Sequence, residues 1–208
     1  MSPIHYSLLK AEHIPQAIFL LHNVFHYIPV IYRWDPEDLE EMIDIFQEGS
    51  MVALDGENVV GIGMGIFADF DFDNIPETEE DIIYPNDSIY HNPNGAYYYG
   101  TDLAVDSNYR GRRIARRLYE MRKEVVVRHN RRGFIAAAAL PGFENEKHRM
   151  TVETYIDRVL KEEIFDPTLT VQLRNDFKVI KPLKNYFHHP ASDHSSALIY
   201  WENDQYEE

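Results

Sequence analysis

The stretch YGTDLAVDSNYRGRRIA, residues 99–115, places one glycine and a burst of arginines directly behind an alternating apolar run. A helix that opens at Gly111 leaves its first backbone N–H groups without intrahelical partners, at the positive end of the aligned peptide dipoles. Such an end receives phosphate oxygens. Gly111 lets the chain turn tightly and a ligand lie against backbone, Asn108 can cap the turn, and Arg110, Arg112 and Arg113 can add charge-assisted hydrogen bonds. These residues suit the holding of a pyrophosphate. The spacing is neither that of a P-loop, GxxxxGK[ST], nor that of the dinucleotide fingerprint, GxGxxG. A solvated basic helix face is the competing reading of the same residues.

Composition limits the chemistry further. The chain has a formal net charge of -15, yet ten of its twenty Lys and Arg fall between Arg110 and Arg132, opposed there only by Glu120 and Glu124. So acidic a remainder argues against a nucleic-acid partner, which needs a broad basic surface. With no cysteine, disulfides, thiol nucleophiles and cysteine zinc sites are excluded. No stretch approaches the roughly 18 apolar residues of a membrane span, and the N-terminus lacks the pattern of a secretory leader, so a cytoplasmic protein without a membrane partner is expected. Asp69, Asp71, Asp73, Glu77, Glu79, Glu80 and Asp81 form an acidic run without a base. It reads either as a solvated insertion, within about 68–94, or as a negative rim that attracts a cationic substrate.

The elements that must position these residues emerge from periodicity. Ser7 to Lys10 reads as a first strand, and Ile14, Ala17, Ile18, Leu21 and Phe25 mark a helix. DPEDLEEMIDIF starts another, with Asp35 as N-cap and Pro36 in the first turn. Residues 50–54 and 58–67 flank Asp55-Gly56-Glu57 as a hairpin. After the loop-like 68–94, a strand over 95–105 feeds a helix over 111 to about 129, with Ile114, Leu118, Met121 and Val125 as its buried stripe. FIAAAAL, 134–140, reads as a strand covered on both sides, which makes a parallel pair joined by a right-handed crossover. A helix over roughly 150–163, with Val152, Ile156, Val159 and Leu160 inward, a short helix ending near Asn175, and strands over 177–180 and 196–203 complete one domain, 1–208.

LAVDSNYRGRRIARRLYEMRK resembles the acetyl-CoA-binding motif of the GCN5-related N-acetyltransferase superfamily, in which a strand ends before (Q/R)xxGx(G/A) and opens a long helix. Asn108, Gly111 and Arg113 occupy the motif positions, so only the middle glycine is kept. The resemblance implies an α+β three-layer fold: a mixed, mostly antiparallel sheet with a splayed parallel pair and helices on both faces. It also implies acetyl-CoA as cosubstrate. The pantetheine arm and thioester would lie along Leu103, Ala104 and Val105. The pyrophosphate would lie at Asn108, Tyr109, Arg110, Gly111, Arg112, Arg113, Ile114 and Ala115. IAAAALPGF together with FDPTLTVQLRNDFKVI further resembles a branch found alone or fused to carbon-nitrogen hydrolases.

The implied chemistry is attack of a neutral primary amine on the thioester, with a backbone N–H near Val105 facing the oxyanion. The family's strand glutamate corresponds to Tyr97, so the base is sought at Asp102, Glu144 or His148. The family's helical tyrosine corresponds to Gln172, which leaves Tyr98, Tyr99, Tyr155 and Tyr186 as candidate acids. The expected acceptor is a cationic amine, small molecule or peptide, and the resemblance leaves room for a homodimer. A CoA-binding protein without catalysis, and an interaction protein that uses the basic helix, are the alternatives. His188, His189 and His194, with Asp193, read as exposed loop residues rather than metal ligands. Trp34 and Trp201 read as packing residues.

Overall fold

A computed structural model describes residues 3–85 and 88–208. Among these described residues, seven strands and six α-helices run in the order β1 (His5–Leu8), α1 (Ile14–Val24), α2 (Pro36–Phe46), β2 (Met51–Asp55), β3 (Asn58–Ala68), α3 (Glu80–Ile83), β4 (Tyr97–Val105), α4 (Ile114–Arg128), β5 (Gly133–Ala139), α5 (Val152–Leu160), α6 (Leu169–Leu173), β6 (Lys178–Leu183) and β7 (Ser196–Glu202). The strands form one sheet in the order β1-β2-β3-β4-β5-β7-β6. Every pairing is antiparallel except β4 with β5. This is the mixed, mostly antiparallel α+β architecture expected, with helices on both faces.

Each face of the sheet carries its own apolar layer. On one side α1 and α2 contribute Leu20, Leu21, Leu39 and Met42 to a cluster with Ile62, Met64 and Tyr99 of the sheet. On the other, Ile114, Leu118 and Val125 of α4 and Val152, Ile156 and Val159 of α5 pack with Tyr98, Phe134 and Ile199. The α2 start behaves as its sequence dictates: Asp35 accepts from Asp38 N, Asp38 answers Asp35 N, and Pro36 stands in the first turn.

Four expectations are corrected. The long helix begins at Ile114 rather than Gly111, because Gly111 (φ 77°) and Arg113 (φ 61°) hold left-handed backbone that a right-handed helix cannot include. Segment 68–94 is not simply a solvated loop, since Ile82, Ile83 and Ile89 are buried in the α1–α2 layer and Phe70, Phe72 and Tyr84 pack against it. Leu160, expected inward, is exposed at the end of α5. His189, expected exposed, is 2% exposed, with its ring 4.7 Å edge-on from Tyr27 and its Nδ1 accepting from Ser192 N.

Two irregularities in β4 shape its C-terminal end. Its parallel pairing with β5 stops after Tyr99↔Ile135, so beyond that point the two strands part. Its pairing with β3 steps from Met64↔Asp102 to Gly65↔Gly100, leaving Thr101 as the extra residue of a bulge. The strand is thus kinked where it leaves its neighbour.

Candidate active site

The site is built from three parts arranged along β4 and the turn that follows it. The first is the turn into α4. Asp106 Oδ1 accepts from Asn108 N at 2.8 Å and so closes a 3-10 turn over Ser107–Tyr109. Tyr109 donates its hydroxyl to Asp55 at 2.9 Å, and Arg112 reaches the same carboxylate at 4.0 Å while lying over the Tyr109 ring. The hairpin therefore ties the loop down. Beyond it, the N–H groups of Gly111, Arg113, Ile114, Ala115 and Arg116 have no acceptor among the described residues, and the first helical bond runs from Arg117 N to Arg113 O. A Cβ at Gly111 would meet nothing within 4 Å, so the space beside these donors is open.

The arginines divide by role. Arg116 and Arg117 are engaged by Glu120 and Glu124 along the helix face. Arg110 and Arg113 are exposed at the helix start and form no ion pair among the described residues. Arg113 stands where the related motif has a small residue, and its left-handed φ accounts for that preference; a non-glycine residue there costs about 1 kcal/mol or more.

The second part is the parting of β4 from β5. Leu103 and Val105 pair only with Gly63 and Gly61 of β3, so the edge of β4 that faces β5 has no strand partner there among the described residues. Ala104 is buried against the α1–α2 layer, while Leu103 and Val105 lean on the α4 layer. Opposite them, β5 presents only alanines from 136 to 139. Small side chains on one wall and free backbone on the other leave a seam for an extended, amide-bearing chain.

The third part is a deep polar cluster on the α1–α2 face. Asp102 Oδ2 accepts from Trp34 Nε1 at 2.7 Å. Burial raises its carboxyl to about 6, against the opposing pull of the Trp34 bond and of Arg122. Glu79, from the acidic run, accepts from the Tyr99 hydroxyl at 3.0 Å, and its own N–H donates to Tyr186 O. Burial, reinforced by the Asp102 charge, lifts Glu79 to about 8. Both residues keep intermediate exposure. Tyr27 and Tyr84 feel the same negative charge, and burial raises both phenols. At neutral pH the environment keeps Asp102 mainly ionised and Glu79 mainly protonated, a division of labour suited to proton transfer.

The remaining sequence candidates are dispersed. Tyr98 lies on the opposite face and donates to Gly49 O at 2.7 Å. Tyr155 donates to Asp166, which caps the start of α6. Glu144 and His148 are exposed in the segment after β5. Tyr186 joins the polar cluster, 3.4 Å from the Tyr99 hydroxyl. Sequence alone does not single out Glu79, Tyr27 or the Trp34 contact: Glu79 is one acid of seven in its run, and Trp34 reads as packing. Among the described residues, no group of three or more His, Asp or Glu is placed to hold a metal ion, and no helix is long and apolar enough to cross a membrane.

Comparison with known proteins bears directly on this arrangement. The model of the acetyltransferase (GNAT) family matches residues 16–141, from α1 through the end of β5. The chain belongs to the GNAT acetyltransferase family. It is 30% identical over 199 residues to the probable hydrolase YhcX of Bacillus subtilis (strain 168), a match that covers 95% of this chain and 38% of that protein. The chain thus spans well under half the length of this curated relative. Among solved structures, the loading GNATL domain of CurA from Lyngbya majuscula superposes with a TM-score of 0.80 at 15% identity, covering 97% of this chain and 98% of that one. The GphF GNAT-like decarboxylase in complex with isobutyryl-CoA gives 0.73 at 15% identity, over 97% and 99%. At such identity these two likenesses are likenesses of fold.

Proposed function

We propose that this GNAT-family chain is an acetyl-CoA-dependent N-acyltransferase that passes an acetyl group directly to a primary amine within a ternary complex. The observation that carries the reading is a succession along one stretch of chain: the Asp102 carboxylate at the β4 bulge, then the parted β4–β5 seam, then the open N–H donors at the start of α4. The donors of Gly111 and of Arg113–Ala115, with Arg110 and Arg113 alongside, suit a diphosphate. The seam at Leu103–Val105 suits the pantetheine amides, which would add to the free edge of β4.

In this scheme Asp102 takes a proton from the bound ammonium, and Trp34 holds the receiving carboxylate in one orientation. The freed amine nitrogen forms its bond to the thioester carbon, a backbone N–H near Val105 faces the resulting oxyanion, and the carbon–sulfur bond then breaks. The departing thiolate takes the proton that the nitrogen sheds, so no covalent enzyme intermediate is needed. The ionised Asp102 carboxylate favours a cationic acceptor, small molecule or peptide, and the neutral Glu79 and the surrounding tyrosines can hydrogen-bond it. The chain acts as one domain, and a cytoplasmic setting and a homodimer are compatible with the reading. Membership of the branch found alone or fused to carbon-nitrogen hydrolases belongs to the same proposal.

A second reading has its own support: the two solved folds that superpose at TM-scores of 0.80 and 0.73 are a loading domain and a decarboxylase. One experiment separates the possibilities. The protein is incubated with acetyl-CoA and a panel of diamines, aminoglycosides and N-terminal peptides, and in parallel with malonyl-CoA alone, and products are followed by mass spectrometry. Amine-dependent release of CoA with a gain of one acetyl group on the amine supports the first reading. Amine-independent conversion of malonyl-CoA to acetyl-CoA supports the second. Binding of CoA without turnover would mark a noncatalytic CoA-binding protein.

A further inference from the structure

Arg122 lies two turns into α4 and is 2% exposed. Its Nη1 donates to Asp102 O at 3.2 Å and to Met64 O at 3.4 Å, and its Nε donates to Leu118 O at 3.4 Å. The guanidinium faces the Tyr119 and Phe134 rings at 4.7 Å and 4.9 Å from their centroids. Its Nη2 has no partner among the described residues, and no described carboxylate forms an ion pair with it. A cation buried without an ion-pair partner in contact is costly, and an aliphatic side chain would fill the same layer without that cost.

The surrounding sequence makes room for this charge. A Cβ on Gly63 would stand 3.2 Å from Arg122 Nε, and one on Gly100 would stand 3.3 Å from its Nη1 and collide with Phe134. Two adjoining strands thus carry glycine where the guanidinium lies. Met64 and Asp102, whose carbonyls accept from Nη1, are the register pair at the edge of the β4 bulge. The Asp102 side chain leaves on the other face of the sheet, where Trp34 holds it. Asp102 is therefore gripped at its carboxylate by Trp34 in front and at its carbonyl by Arg122 behind.

We propose that Arg122 is a positioning residue for the acyl transfer: it fixes the Asp102 backbone where β4 leaves β5 and sets a compensating positive charge behind the Asp102 carboxylate. The inference rests on the reading of Asp102 as proton acceptor. The groups that face this carboxylate are Trp34 and Tyr27 from the α1–α2 connection, Tyr84 and Glu79 from the acidic segment, Thr101 beside it, and Arg122 from α4. Arg122 is the cation of this set.

The test uses Trp34 as the reporter, so it needs no substrate. Trp201→Phe leaves Trp34 as the one tryptophan of the two in the chain. Its fluorescence, titrated from pH 4.5 to 8, should show a transition near 6 that Asp102→Asn abolishes. Arg122→Met should move that midpoint upward by about half a unit or more, and Arg122→Lys should restore most of it. Arg122→Gln, which keeps a donor for the carbonyls but no charge, serves should the Met variant fail to fold. An unmoved midpoint in a folded Met or Gln variant, or a Lys variant indistinguishable from Met, would overturn the proposal. If no amine is acetylated yet the midpoint moves, the acyltransfer reading fails and the Arg122–Asp102 coupling stands. Acetylation with an unmoved midpoint has the converse meaning.

Discussion

Replacing Asp102 by asparagine should stabilise the protein while disabling it. Asparagine keeps an oxygen for Trp34 Nε1 at nearly the same place but cannot ionise. The carboxyl of Asp102 is raised from 3.8 to about 6, mainly by burial. Between those values the folded protein holds a proton that the unfolded chain has lost, so the stability contributed by this group is full below about pH 3.8 and falls as pH rises through 6. The full difference corresponds to about 3 kcal/mol at pH 7.5, an upper limit because Asp102 is only partly buried. Allowing for that, Asp102→Asn should gain about 1–3 kcal/mol at pH 7.5, a rise in Tm of roughly 2–12 °C for a chain of this size, and little at pH 4. Amine acetylation should drop by about 10²–10⁴-fold, the range of a lost general base. Paired melts at pH 4 and 7.5, with initial rates of CoA release, make the assay. A gain independent of pH, a loss of stability at pH 7.5, or undiminished turnover would refute the reasoning.

The same geometry sets two further outcomes. Gly111→Val meets no steric obstacle, so its cost is that of left-handed backbone, about 1–2 kcal/mol, and calorimetry should find CoA binding weakened by roughly fivefold to thirtyfold; wild-type affinity would remove Gly111 from the site. Glu79, held protonated up to about 8, contributes stability that is full below about pH 4.5 and lost as pH rises through 8, so Glu79→Gln should melt higher than the parent by about 2 kcal/mol or more at pH 9 and alike at pH 4; equal melting at pH 9 would show that the carboxyl is solvated.

The parts of the molecule legible in the sequence are those governed by local periodicity. The α4 stripe of Ile114, Leu118 and Val125, the hairpin around Gly56 and the alanine strand after Gly133 stand where pattern places them. The start of α4 does not, because left-handed backbone at Arg113, a non-glycine residue, leaves no compositional trace. Burial of the acidic segment is hidden because Ile82, Ile83 and Ile89 are diluted among acids, most of which remain exposed. The polar cluster is least accessible of all. The Trp34–Asp102 bond spans 68 residues, Tyr99–Glu79 spans 20 and Tyr99–Tyr186 spans 87, so only the closed fold brings these groups together. Burial then separates Asp102 from Glu79 in acidity, although both are ordinary carboxylates in sequence.

A crystal structure of the protein with CoA tests the central claim most directly. Diphosphate oxygens are expected within hydrogen-bonding distance of the N–H groups of Gly111 and Arg113–Ala115, with pantetheine amides along the free edge of β4 and the sulfur beside the Asp102 bulge. A diphosphate bound elsewhere on the surface, or a β4–β5 seam that the ligand does not enter, would contradict it.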